Sequence, residues 1–143
     1  MSDKAYHLIG AQHLQLGDHI ALKDKEKGIS YYHEAIVESV QLECRTYNMI
    51  QRSRSGVSRK VYGFNDRDLY IVKQTKRNYN RQQTYERARS RLEEDGYHLT
   101  KKNCEHFAEW CVNGTERSYQ AEGRPFGCFC YELIEKKKAL CSS

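Results

Sequence analysis

Two different apolar periods divide this chain, and they restrict it to a sheet followed by helices. Residues 31–40 are rich in tyrosine, isoleucine and valine and read as the clearest strand. His33, Ala35 and Val37 share one face of that strand, and Tyr32, Glu34 and Ile36 share the other. Around it, 18–22 reads as a short apolar strand after Gly17, and 23–28 as a charged turn. Residues 44–51 read as its hairpin partner, 52–59 as a polar loop, and 61–64 and 69–72 as two more strands. Past residue 82 the spacing changes. Tyr85, Ala88 and Leu92 fall at i, i+3 and i+7, which predicts a helix over 82–95 with Gly96 as its stop. Asn103 is a good N-cap for a second helix with Cys104, Phe107, Ala108 and Cys111 on one stripe, ended by Gly114. A third helix is expected over 128–141, with Lys136, Lys137 and Lys138 near its end. The predicted class is α+β, a small antiparallel sheet packed on helices.

At 143 residues one domain is the default, large enough for a core without staples. The N-terminus has no apolar h-region, so a cytoplasmic location is expected. The six cysteines (44, 104, 111, 128, 130 and 141) are then expected to be reduced thiols. No run of about 18 apolar residues spans a membrane. The net charge of +5 suits solubility, an anionic membrane surface or weak nucleic-acid contact, and selects none of them.

The chemistry-bearing stretch is Asn103-Cys104-Glu105-His106-Phe107. A thiol in the first turn of a helix gains from the partial positive charge there, and a neighbouring imidazole lowers its pKa from about 8.5 to roughly 3–4. The same amides suit a developing oxyanion. The plain alternative is a buried cysteine filling a helix face. His33, mid-strand, is the candidate base; its alternative is a half-buried histidine with satisfied hydrogen bonds. His106 is a poor base, because side chains at i and i+2 point about 200° apart; it suits packing or hydrogen bonding. Zinc is the competing chemistry, but Cys104-x-His106, Cys111 and Cys128-x-Cys130 do not form the paired spacings of structural sites. The basic segment 73–91, with Tyr79 and Tyr85 interleaved, fits a single-stranded nucleic-acid groove or a solvated helix face.

The run from Asn103 through Cys111, then Gly114, resembles the NC box of the lecithin:retinol acyltransferase (LRAT) domain. Arg87-Ala88-Arg89-Ser90-Arg91-Leu92 and Gly96-Tyr97-His98-Leu99 are similar to the run before that box. Leu16-Gly17-Asp18-His19-Ile20 resembles the family's opening strand, and His33-Glu34-Ala35-Ile36-Val37 its H box. The resemblance covers about residues 14–116. It implies a domain at 14–116 between an extension at 1–13 and a helical extension at 117–143. It also implies a circularly permuted papain-like fold related to NlpC-type peptidases. Cys104 is then the nucleophile and His33 the general base. Members cleave a phospholipid acyl ester through a thioester and pass the acyl group to an acceptor or to water. No metal or organic cofactor is required.

The sequence departs from that pattern in two places. The family's second histidine, which orients the first, is missing: its position falls on Gln51, or else on Asn48, either of which can accept the imidazole N–H. The family's C-terminal membrane helix is also missing; Cys128, Cys130 and the lysines 136–138 are instead candidates for palmitoylation or charge-assisted peripheral membrane contact. Three readings follow. The first is a thiol acyltransferase or phospholipase acting on a phospholipid. The second is a non-catalytic interaction module on the same fold, and the third is a nucleic-acid-binding protein.

Overall fold

The computed structural model describes residues 4–26, 28–74, 77–95 and 103–115. Six strands form one antiparallel sheet: β1 (Ala5–Leu8), β2 (His19–Glu26), β3 (Ile29–Gln41), β4 (Thr46–Ser53), β5 (Gly56–Gly63) and β6 (Asp68–Lys73). Their spatial order is β1-β6-β2-β3-β4-β5. Two helices, α1 (Arg81–Ser90) and α2 (Cys104–Asn113), pack on β3 and β4. The predicted α+β class with an antiparallel sheet is what forms. The segment expected as a third helix, 128–141, lies outside the described residues, as do Gly96 and the extension 117–143.

Four local expectations change. β2 continues through the charged stretch to Glu26, held by its ladder to β3, where Glu26 faces Ile29. The polar stretch 52–59 is mostly strand: Ser53 pairs with Gly56 and Arg52 with Val57 in a tight hairpin. An edge strand with Arg59, Lys60 and Val61 exposed shows no clean apolar alternation, which hid it. β1 carries no such pattern either, yet it is hydrogen-bonded along β6, so the first residues belong to the sheet. α1 stops at Ser90 rather than 95, because the chain then hooks onto β5: Glu93 N–H donates to Val57 O, and Val57 N–H donates to Glu94 O, both at 2.9 Å.

Alternation along β3 divides the core in two. Ala35 and Val37 join Ile20, Leu22, Met49, Tyr47 and Leu69 on one face. Ile36 joins Ile50, Val57 and the helical residues Ala88, Phe107, Ala108 and Cys111 on the other. Phe107, Ala108 and Cys111 of the helical stripe read from the sequence lie in this cluster, and α2 is buried over most of its surface. Tyr85 and Leu92 pack against the same cluster around Ala88, as their spacing predicts.

Among the apolar contacts of the helical face lies a buried ionic group. The Lys4 ammonium sits 2.7 Å from Glu34 of β3, 2.6 Å from Glu105 of α2 and 3.7 Å from Glu109, one turn later. Glu34 also meets His19 Nε2 at 2.6 Å and accepts from the Tyr6 hydroxyl at 3.0 Å. Burial by itself would raise the Glu34 carboxyl, but the charge on Lys4 and the hydrogen bond from His19 outweigh it and hold it at about 2. Burial wins at Glu109, whose carboxyl is raised, with the Lys4 charge opposing. Carboxylates this deeply buried persist only when paired, so the group fastens α2 to β3 and β1.

Two measurements check these packing arguments. Gly17 has φ +80°, donates its N–H to Val37 O, and lies so close to α1 that a Cβ would strike the Arg81 carbonyl oxygen. Gly17→Ala is expected to lose about 2–4 kcal/mol in urea unfolding; a loss below about 0.5 kcal/mol would contradict the close approach. Glu34→Gln is expected to lose about 3–5 kcal/mol at pH 7. Because the folded carboxyl lies below its ordinary 4.5, its stabilisation is complete above that value and disappears as pH falls toward 2. The gap between wild type and Glu34→Gln should therefore narrow between about pH 4.5 and 2; a constant gap would sink the ionic account. Glu109 acts in the opposite sense but is common to both proteins.

Candidate active site

The start of α2 is built by a reciprocal cap. The Asn103 side chain accepts from His106 N–H at 2.8 Å, and His106 Nδ1 accepts from Asn103 N–H at 3.3 Å. This fixes the His106 lone pair on the backbone and gives the residue the hydrogen-bonding role expected of it, closing a capping box. Cys104 is the first residue of the helix and is fully buried. At the other end Gly114 adopts φ +85° and donates to Trp110 O, so the helix ends where the sequence places its stop.

His33 and Gln51 meet on the sheet. Gln51 Oε1 lies 2.5 Å from His33 Nε2, so the ring donates through Nε2 and the neutral tautomer carries its lone pair on Nδ1. The amide that meets the ring is that of Gln51; Asn48 sits farther along β4, opposite Ser39. This is the contact expected at the position of the missing histidine.

His33 and the first turn of α2 both meet β3. His33 stands opposite Leu22, and Leu22, Ala35 and Val37 belong to the cluster away from the helices. Gln51 shares that parity with Met49. The first turn of α2 lies over Glu34, the neighbour of His33, through the Glu105–Lys4–Glu34 bridge.

Among the described residues the thiols differ from expectation at Cys104. Cys44 and Cys111 are free, Cys44 exposed and Cys111 buried. Cys104 is disulfide-bonded. The expectation of a free thiol is corrected there, and nucleophilic chemistry at Cys104 belongs to the reduced protein. Cys111 is no substitute nucleophile, because burial pushes its thiol far up despite Arg87, Arg91 and Arg52 nearby.

Arg77 and Arg87 of the basic segment are committed to the fold, while Lys73, Arg81 and Arg89 are exposed. Arg87 donates to Trp110 O at 2.9 Å and stacks over Tyr79 and Trp110, at 4.2 and 3.9 Å from their ring centroids. Arg77 donates to Gly17 O and Tyr79 O. These contacts favour the structural reading of that segment over a base-stacking groove. Among the described residues no group of three His, Cys, Asp or Glu side chains has metal-holding geometry.

Sequence reasoning missed Lys4 and Arg52. Arg52 is fully buried, stacks on Phe107 at 5.7 Å and pairs with Glu94. The legible signal for Lys4 was three carboxylates at core positions, Glu34 in an apolar strand and Glu105 with Glu109 one turn apart, which together require a cation.

The sequence matches the family described as Lecithin retinol acyltransferase over residues 12–117, and no curated protein matches it. The match spans both the His33 strand and the capped Cys104 helix. It covers well over half of the 143 residues. The chain belongs to the lecithin retinol acyltransferase family.

Proposed function

We propose that the reduced protein is a thiol acyltransferase or phospholipase A that cleaves phospholipid acyl esters through a thioester on Cys104. The observation that carries this reading is the His33–Gln51 hydrogen bond, which orients the imidazole and sets its tautomer, in a chain of this family whose cysteine begins a capped helix.

The cycle starts as the Cys104 thiol gives its proton to His33 Nδ1. The sulfur attacks the acyl carbonyl carbon, and amides of the first helical turn stabilise the oxyanion. The ester C–O bond breaks, the lysophospholipid oxygen takes the proton from the imidazolium, and the acyl group remains on sulfur. Water or an acceptor then loses a proton to His33 and attacks the thioester, which regenerates the thiol. Gln51 holds the ring tautomer and transfers no proton. Among the described residues no helix is long and apolar enough to cross a membrane. The +5 charge suits peripheral contact with an anionic bilayer.

The second reading is a non-catalytic interaction module. The Cys104 disulfide and Gln51 in place of a histidine favour it.

Intact mass spectrometry distinguishes the two. Reduced protein incubated with phosphatidylcholine vesicles is expected to gain one acyl mass on Cys104 and to release lysophospholipid, and Cys104→Ala to do neither. Unmodified protein, with Cys104→Ala matching wild type in lipid cleavage, would leave the interaction module.

A further inference from the structure

Arg77 and Arg81 carry positive charge that the fold leaves in excess. Both line an open cavity of about 630 Å³ with Gln15, Leu16, Asn80 and Gln82, between the turn before β2 and the start of α1. Arg77 is half-buried and held at three points. Its Nε donates to Tyr79 O at 2.8 Å, and its Nη2 donates to Gly17 O at 2.9 Å and to Thr84 Oγ1 at 3.0 Å. Its Nη1 has no partner among the described residues. Arg81 is exposed, and its guanidinium makes no hydrogen bond or ion pair among the described residues. One end of the cavity thus has a guanidinium locked in place, and the other a guanidinium free to close on a ligand.

The charges nearby do not cancel. Asp18 is buried and accepts from Gln15 N–H at 2.8 Å. Arg81, Arg77 and Lys73 all act on its carboxylate, so three cations stand against one anion and two positive charges are left over. Burial pushes the Arg77 guanidinium down from its ordinary range; Asp18 offsets part of this, and the charge on Arg81 adds to it. The two guanidiniums therefore repel each other across a partly desolvated wall, and a bound anion would relieve that repulsion. The helix end contributes little, because its cap is closed: Asn80 accepts from Gln83 N–H at 2.8 Å, and Gln83 Oε1 accepts from Asn80 N–H at 3.0 Å. Gln82 is turned to Glu86, donating at 3.1 Å. Selection of a ligand falls to the two arginines. The cavity is also separate from the proposed acyl-transfer site. Tyr79 N–H donates to Val112 O at 3.1 Å, and Asn78 bonds Asn113, which places this loop by the last turn of α2, about 13 Å along the helix from Cys104.

We propose that Arg77 and Arg81 form a binding site for a phosphomonoester dianion. Guanidiniums grip phosphate oxygens through paired N–H donors. A phosphomonoester carries about −1.5 to −2 at pH 7, which matches the two unbalanced cations, whereas a phosphodiester offers a single charge. The group is presented either by a soluble phosphorylated molecule or by a phosphatidic acid headgroup at a bilayer surface. Neither source depends on the chemistry proposed for Cys104.

The test uses the full chain and two probes: glycerol 3-phosphate by titration calorimetry, and cosedimentation with phosphatidylcholine vesicles prepared with and without phosphatidic acid. Arg81→Gln removes a side chain that holds nothing in the fold, and is expected to weaken binding about tenfold or more. Arg89→Gln removes the same charge from an exposed position on the same helix, outside the cavity, and is expected to bind as wild type does. Binding of glycerol 3-phosphate without retention on phosphatidic acid vesicles supports the site and identifies a soluble ligand. Retention that requires phosphatidic acid, and that is lost in Arg81→Gln, supports the site and identifies the headgroup. No binding of either probe, equal binding by wild type and Arg81→Gln, or an equal loss in Arg89→Gln would overturn the proposal. Retention of a single-stranded oligonucleotide in place of both probes, with the same dependence on Arg81, would overturn the monoester assignment.

Discussion

One ammonium among three carboxylates holds the layers of this molecule in register. Lys4 comes from the N-terminal edge, Glu34 from the central strand, and Glu105 and Glu109 from the cysteine-bearing helix. Apolar contacts between Ile36, Ile50, Phe107 and Ala108 supply the burial, but they are non-directional and allow a helix to slide. Charges taken out of water allow no such freedom, since a displacement leaves one of them unpaired. The ionic group therefore specifies where the first turn of α2 stops along β3.

That stopping point gives the site its character. β3 sends Glu34 and Ile36 toward the helices, and Ala35 and Val37 to the other face. The central strand thus binds the helix through Glu34 and Ile36 and carries the imidazole on the residue before Glu34. The hydrogen bond to Gln51 sets the imidazole tautomer, and the Asn103–His106 cap sets the helix end. Tautomer, cap and ionic seat are separate devices acting on neighbouring residues. The disulfide at Cys104 adds an oxidation state as a further condition on any chemistry.

The legible parts of the sequence were those with local causes. The alternation of 31–40, the stripe through 104, 107, 108 and 111, the Asn103 cap and the Gly114 stop each arise from neighbours within a few residues, and each is present in the structure. The Gln51 contact followed from strand alignment with the family's missing histidine. What escaped reading depends on distant partners. β5 is an edge strand with a polar face. α1 ends early because Val57 captures Glu93 and Glu94. Lys4 finds Glu105 across 101 positions of sequence. Which face of β3 the helices cover also needed the three-dimensional register, since alternation alone does not say.

The central claim is that His33 controls the state of the Cys104 sulfur. The most direct measurement is the alkylation rate of reduced Cys104 at pH 6 in wild type and in His33→Asn, with both proteins shown to be folded. Control by the imidazole predicts rapid alkylation in wild type and a loss of about tenfold or more in the variant. Equal, slow rates in the two proteins would contradict it and leave the fold as a scaffold for binding.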